Sequence, residues 1–200
     1  LASTLRAPRT MALLLGTTAL VSSNWFVFIW AINTDRILQT SLGYYINPLI
    51  NVVLGMLFLK ERLRRPQGFA VLLAAVGVVY LTVEIGRLPW IALFLAFTFG
   101  FYGLIRKVAP VSALVGLTVE TMLLTIPAVI YLIHLDARGG GTFLRIDAST
   151  SILLMGTALV TALPLLLFTT GARKIHFTTI GILQYIAPSC TFLLAVFVYG

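Results

Sequence analysis

Few residues in this sequence could do chemistry, and most of those would do it by binding. Glu120 is the one carboxylate well inside an apolar run. Seven residues beyond Ala113, it lies about 10 Å along a helix, between interface and midplane if that run spans a bilayer. Burial disfavours the charged form of a carboxyl, so such a group can carry a proton. The alternative is a carboxylate hydrogen-bonded near the headgroups, close to Arg106 and Lys107. No paired Asp, Ser–His arrangement or metal cluster accompanies it, so neither an enzyme nor a catalytic residue is expected. His134 and His176 lack a second ligand at metal spacing, and Cys190 stands in an apolar helix as a packing residue. No metal and no cofactor are expected.

The binding chemistry centres on two prolines. Pro48 and Pro188 each interrupt an apolar run, and each frees the carbonyl four residues earlier, at Tyr44 and Gln184. Around them run stripes at helical spacing: Ser41, Tyr44, Pro48, Asn51, Gly55 in one, and Gly181, Gln184, Pro188, Thr191, Ala195 in the other. Leu42, Leu49, Val53 and Met56 form an apolar face suited to lipid. Small and polar stripes of this kind either line a substrate cavity or glue helices together through hydrogen bonds and close packing. Recurrence of the stripe, with a freed carbonyl each time, favours the cavity. Tyr44, Asn47, Asn51, Gln184 and Tyr185 are therefore candidate cavity residues, with Pro48 and Pro188 as helix kinks. Asn24 is a further candidate, because an amide at mid-depth of a span needs a partner. Tyr102, between Gly100 and Gly103, is another. Trp30 reads as an interfacial anchor.

These residues have to be positioned by membrane helices. Of the 200 residues, 60% are apolar and only 10% are charged, with a mean hydropathy of +1.03. Soluble domains are about 45–50% apolar and about 25% charged. A disordered chain, a nucleic-acid-binding domain and a disulfide scaffold are excluded together, and no nucleic-acid partner is expected. Runs of roughly 20 apolar residues suffice to span. Seven are expected, near 11–32, 37–59, 67–83, 88–105, 114–135, 151–172 and 177–199. They are far longer than the strands of an outer-membrane barrel. Residues 136–150, with Gly139, Gly140 and Gly141, read as a flexible polar loop.

The net charge of +8 sorts by side. The loops on the side of the first residues carry Arg6, Arg9, Lys60, Arg62, Arg64, Arg65, Arg106, Lys107, Arg173 and Lys174. The opposite side carries only Arg36, Arg87, Arg138 and Arg145. The positive-inside rule makes the first side cytoplasmic. The charge is a topology signal, with some attraction to anionic lipid.

A repeat underlies the seven spans. Shifted by 140, Ala12–Lys60 aligns without a gap on Ile152–Gly200, with nine identities in 49 positions that include Tyr45/Tyr185, Ile46/Ile186 and Pro48/Pro188. The shift covers five spans, an odd number, so the copies have opposite orientations in the membrane. Inverted repeats around a midplane site mark secondary transporters. Completing both copies adds two spans before residue 1 and one after residue 200. The chain, which opens on Leu1, is expected to be one transporter domain truncated at both ends.

Asn24-Trp25 with Phe28-Ile29-Trp30, Ser41-Leu42-Gly43-Tyr44-Tyr45-Ile46-Asn47-Pro48 running on to Lys60-Glu61-Arg62-Leu63, Phe101-Tyr102-Gly103, Glu120-Thr121 and Leu183-Gln184-Tyr185-Ile186 carry a resemblance over nearly the whole chain. It closely resembles the RarD-type, or chloramphenicol-sensitive, permeases of the EamA branch of the drug/metabolite transporters. The resemblance implies an all-α fold of ten helices in a five-plus-five inverted repeat, in a bacterial inner membrane with cytoplasmic termini. It also implies export of a drug, amino acid or other metabolite, and it assigns no binding residues. The expected activity is alternating-access transport of a small molecule, with protons as a coupling ion and a homodimer as the candidate assembly. A channel, a lipid flippase and a seven-helix receptor are the alternatives. Retinal binding is excluded because Lys60, Lys107 and Lys174 all lie at helix ends.

Overall fold

The computed structural model describes residues 6–86, 88–140 and 147–197. Among them the ordered elements are all helical: α1 Pro8–Asn33, α2 Ile37–Leu59, α3 Arg65–Ile85, α4 Trp90–Val108, α5 Ala113–Ala137, α6 Ala148–Lys174, α7 Phe177–Leu183 and α8 Ile186–Phe197. The first six are each long and apolar enough to cross a membrane. They fall where the apolar runs predict and extend a few residues beyond several of them. The stretch expected as the seventh span, 177–199, is described as far as residue 197. It is two helices, α7 and α8, separated at Gln184 and Tyr185. Pro188 is the local cause, because its missing N–H and its ring both act on the carbonyl of Gln184. Residues 87, 141–146 and 198–200, which include Arg87, Arg145 and part of the polar loop, lie outside the described residues.

Helix ends follow local chemistry. Pro66 opens α3, and the Arg64 N–H donates to Gln67 Oε1 at 2.9 Å. Gly86, at φ 68°, closes it in the left-handed region that glycine enters freely. Ser112 caps α5, its Oγ accepting from the Val115 N–H. Lys60 ends α2 at φ 55°, and the next amide, of Glu61, returns to the Gly55 carbonyl at 3.1 Å. Within the spans, threonine hydroxyls donate to carbonyls of their own helix, as Thr118 does to Leu114 and Thr125 to Thr121. That leaves fewer polar hydrogens exposed to lipid.

The chain divides into two compact units, Leu1–Thr18 with Ala109–Gly171, and Ala19–Val108 with Ala172–Gly200. In the first unit, Leu14, Ala109, Val111 and Val119 form the core, joined by Met11, Val115 and Leu123. In the second, α2 packs on α4 through Leu42, Ile46, Ala92 and Ala96, and α1 packs on α4 through Ala31, Ile91 and Leu95. Small residues allow these close approaches. Leu42 is therefore buried, not lipid-facing as its neighbours Val53 and Met56 suggest. The apolar window of α3 contains no buried residue and that of α6 almost none. Helices that are apolar on every exposed face need an apolar surrounding, which here is the membrane.

Candidate functional site

The α7–α8 break sits against α2 in the second unit. Backbone bonds continue up to it, with Gln184 N–H to Ile180 O at 3.0 Å and Tyr185 N–H to Ile182 O at 3.2 Å. They resume with Ser189 N–H to Tyr185 O at 3.1 Å. By contrast α2 remains one 23-residue helix through Pro48, which is fully buried. A Cβ at Gly181 would stand 2.6 Å from the Pro48 carbonyl oxygen and 2.9 Å from Val52 Cγ2, so only glycine lets α7 seat on α2 there. Gly100 plays a similar part on α4, where a Cβ would meet Ile50 Cγ2 at 2.7 Å.

Polar groups converge at this contact. The Asn51 amide, wholly buried, donates to Gln184 Oε1. Six residues nearer the α2 N-terminus, the Tyr185 hydroxyl donates to the Tyr45 carbonyl at 3.1 Å. The side-chain oxygens of Asn51 and Asn47 are buried with no hydrogen-bond partner among the described residues. They are acceptors available to a donor. Tyr44 is 55% exposed, and its ring stands edge-on to Phe28 at 6.1 Å. Pro188 lies in α8, three residues past the break.

Where α2 ends, Glu61 caps α7. Its two carboxylate oxygens accept from the Phe177 and Thr178 N–H groups, both at 2.8 Å, satisfying two of the amides that a helix start leaves unpaired. Burial pushes the Glu61 carboxyl up, but the bonds from Thr178 and Phe177 and the nearby Lys107 charge together hold it below the usual carboxylate value. Lys107 in turn donates to the carbonyls of Ala172 and Ile175 at 2.7 and 2.5 Å. Within the sequence Glu61 figures only in the stretch Lys60-Glu61-Arg62-Leu63, with no role given to it. Its signal was that it is the one acid on a side carrying ten basic residues.

The remaining candidates lie elsewhere. Asn24 donates to the Leu95 carbonyl at 2.8 Å and to Thr98 Oγ1 at 2.7 Å, tying α1 to α4. Tyr102 is fully buried on α4, its ring 5.9 Å from that of Phe99. Glu120 belongs to the first unit and is 2% exposed, and there the Thr17 hydroxyl donates to its Oε1 at 2.6 Å. Thr17, 103 residues away in sequence, carried no signal of this pairing. Among the described residues, no group of three or more His, Cys, Asp or Glu could hold a metal ion.

No family model matches the chain, and no solved structure does. Curated relatives do. It is 51% identical to an uncharacterized transporter of Vibrio cholerae over 193 residues, 96% of this chain and 64% of that one. It is 46% identical to Protein RarD of Salmonella typhi over 196 residues, 98% of this chain and 67% of that one. It is 48% identical to the uncharacterized transporter YojE of Bacillus subtilis over 186 residues, 90% of this chain and 60% of that one. The chain thus spans between 60% and 67% of the length of these three relatives.

Proposed function

The chain belongs to the family of RarD and its related transporters, and from that premise we propose that it moves a small metabolite or drug across a bacterial inner membrane by alternating access. The observation that carries this reading is the α7–α8 break lying on proline-bearing α2, with Asn51 and Gln184 bonded beside it. Irregular backbone at membrane depth is tolerated only where protein covers it or a water-filled cavity bathes it. Discontinuous helices are also how transporters expose carbonyls and side chains to a substrate. On this reading Tyr44, Asn47, Asn51, Gln184 and Tyr185 line the substrate cavity, with Asn24 and Tyr102 supporting it from α1 and α4. The frame is a ten-helix inverted repeat of the EamA type, its basic loops cytoplasmic. Glu120, bonded to Thr17, exchanges the coupling proton. The full-length protein works in anionic lipid as a homodimer.

The test uses everted membrane vesicles from cells expressing the full-length protein, with radiolabelled chloramphenicol and the proteinogenic amino acids as probes. Saturable accumulation that needs a proton gradient is expected for at least one probe. Asn51→Ala and Gln184→Ala should each lower it about tenfold, the equivalent of roughly 1.4 kcal/mol of lost interaction. Normal transport in both variants at normal expression overturns the cavity assignment. Flux that does not saturate and ignores the gradient identifies a channel instead.

A further inference from the structure

A carboxamide has a donor end and an acceptor end, and the end a neighbour takes decides what the other can bind. At the α2–α7 contact the Asn51 nitrogen donates to Gln184 Oε1. The Gln184 amide is thus held by its oxygen, and its NH2 group turns the opposite way. That group makes no hydrogen bond among the described residues. Gly100 fixes the sense of the pair. Asn51 Oδ1 is buried and stands 3.2 Å from where a Gly100 Cβ would be, with Ile50 Cγ2 and Leu54 Cδ1 at the same spot. Turning both amides over would keep the bond between them but bury the Asn51 N–H donors against those carbons. An oxygen loses less in such a place than an NH2 group, because C–H groups are weak donors and never acceptors. The pair is therefore polarised from Gly100 through Asn51 to the break, with N–H at its free end.

Asn47, four residues earlier on α2, has the same sense. Its Oδ1 is buried, and its nitrogen makes no hydrogen bond among the described residues. The Tyr185 hydroxyl is already spent on the Tyr45 carbonyl. The Tyr44 carbonyl, which Pro48 deprives of its helical donor, rewards a ligand that also donates. The two amides, however, are satisfied only by an acceptor. Charge is absent from these elements: neither Ile37–Leu59 nor residues 177–197 contain Asp, Glu, Lys, Arg or His. An ionised ligand would lose its hydration there without gaining a counter-charge.

We propose that the polarised Asn51–Gln184 pair, together with Asn47, selects ligands by a neutral hydrogen-bond acceptor, the oxygen of an amide, ester, ketone or nitro group. Gln184 Nε2 and Asn47 Nδ2 are the donors that meet it. Ligands with donors alone, and ligands whose acceptor is a carboxylate, are held more weakly. The proposal rests on the transporter reading of this site and names the substrate class the site takes.

The test titrates purified full-length protein in detergent with three aromatic probes and reads the melting temperature. N,N-dimethylbenzamide is a neutral acceptor, indole a neutral donor and benzoate an anionic acceptor. N,N-dimethylbenzamide should bind about tenfold more tightly than either of the others, the equivalent of roughly 1.4 kcal/mol. Gln184→Met removes the outward N–H and should erase most of that preference. Should this variant not fold, Asn47→Leu leaves the Asn51–Gln184 bond in place and should reduce the preference several-fold. In everted vesicles N,N-dimethylbenzamide should also compete with the accumulation of any labelled probe that is taken up. Indole or benzoate binding as tightly, no binding of N,N-dimethylbenzamide, or a preference unchanged in the variants overturns the proposal. So does binding that leaves accumulation undiminished, and in each of these cases an accumulated probe keeps the transporter reading standing. The expected order, lost in the variants but with no probe accumulated, supports the acceptor class and counts against the transporter reading.

Discussion

At the scale of single residues, the α2–α7 contact depends on what Gly181 lacks. Gly181→Ala puts a methyl 2.6 Å from a backbone oxygen that cannot rotate away. It should cost about 1–3 kcal/mol, read as a melting temperature several degrees lower in detergent. Gly16→Ala is the control, with nothing within 4 Å of the new methyl. No loss at Gly181, or an equal loss at both, contradicts this account. Asn51→Leu removes the donor to Gln184 and should destabilise by about 1 kcal/mol, the scale of one membrane hydrogen bond. Asn51 and Gln184 were legible as candidates from the stripe pattern, because helical spacing fixes which side chains share a face. That they bond each other was not legible, because it depends on how closely Gly181 lets two backbones approach.

At the scale of elements, α7 is held at its start by Glu61. Its carboxyl titrates below the ordinary value when folded, despite the upward push of burial. A depressed folded value means the contribution is fully present above the unfolded value near 4.5 and is lost as pH falls through the folded one. Thermal melts of wild type and Glu61→Gln should therefore differ at neutral pH, and the gap should narrow as pH falls below 4.5. A constant gap across that range rules out the carboxylate as the cause. Asp147 is held low in the same direction by the Thr150 amide at the start of α6, but it is fully exposed. Six spans were readable because uninterrupted apolar length suffices to place a membrane helix. The break in the stretch expected as the seventh was not legible, because a proline in sequence does not distinguish a continuous helix from a broken one. Pro48 and Pro188 are chemically identical, yet α2 continues and the α7–α8 segment does not.

At the scale of the whole molecule, the charge distribution makes a claim about orientation that reporter fusions can check. Alkaline phosphatase joined after Ala137 should be active and after Lys174 inactive, with a fluorescent protein giving the opposite pattern. The reverse result would invert the assignment of the basic loops to the cytoplasm. The break also bears on biogenesis. Seven residues make α7 about 10 Å long, a third of the roughly 30 Å hydrocarbon layer. It cannot enter the bilayer as a span of its own. Entry of residues 177–197 into the bilayer as a single segment is then the expected route. Carbonyls opened at Gln184 before α2 arrives would face hydrocarbon unpaired, at several kcal/mol each. The break is therefore tolerable in the bilayer only where other parts of the protein cover it.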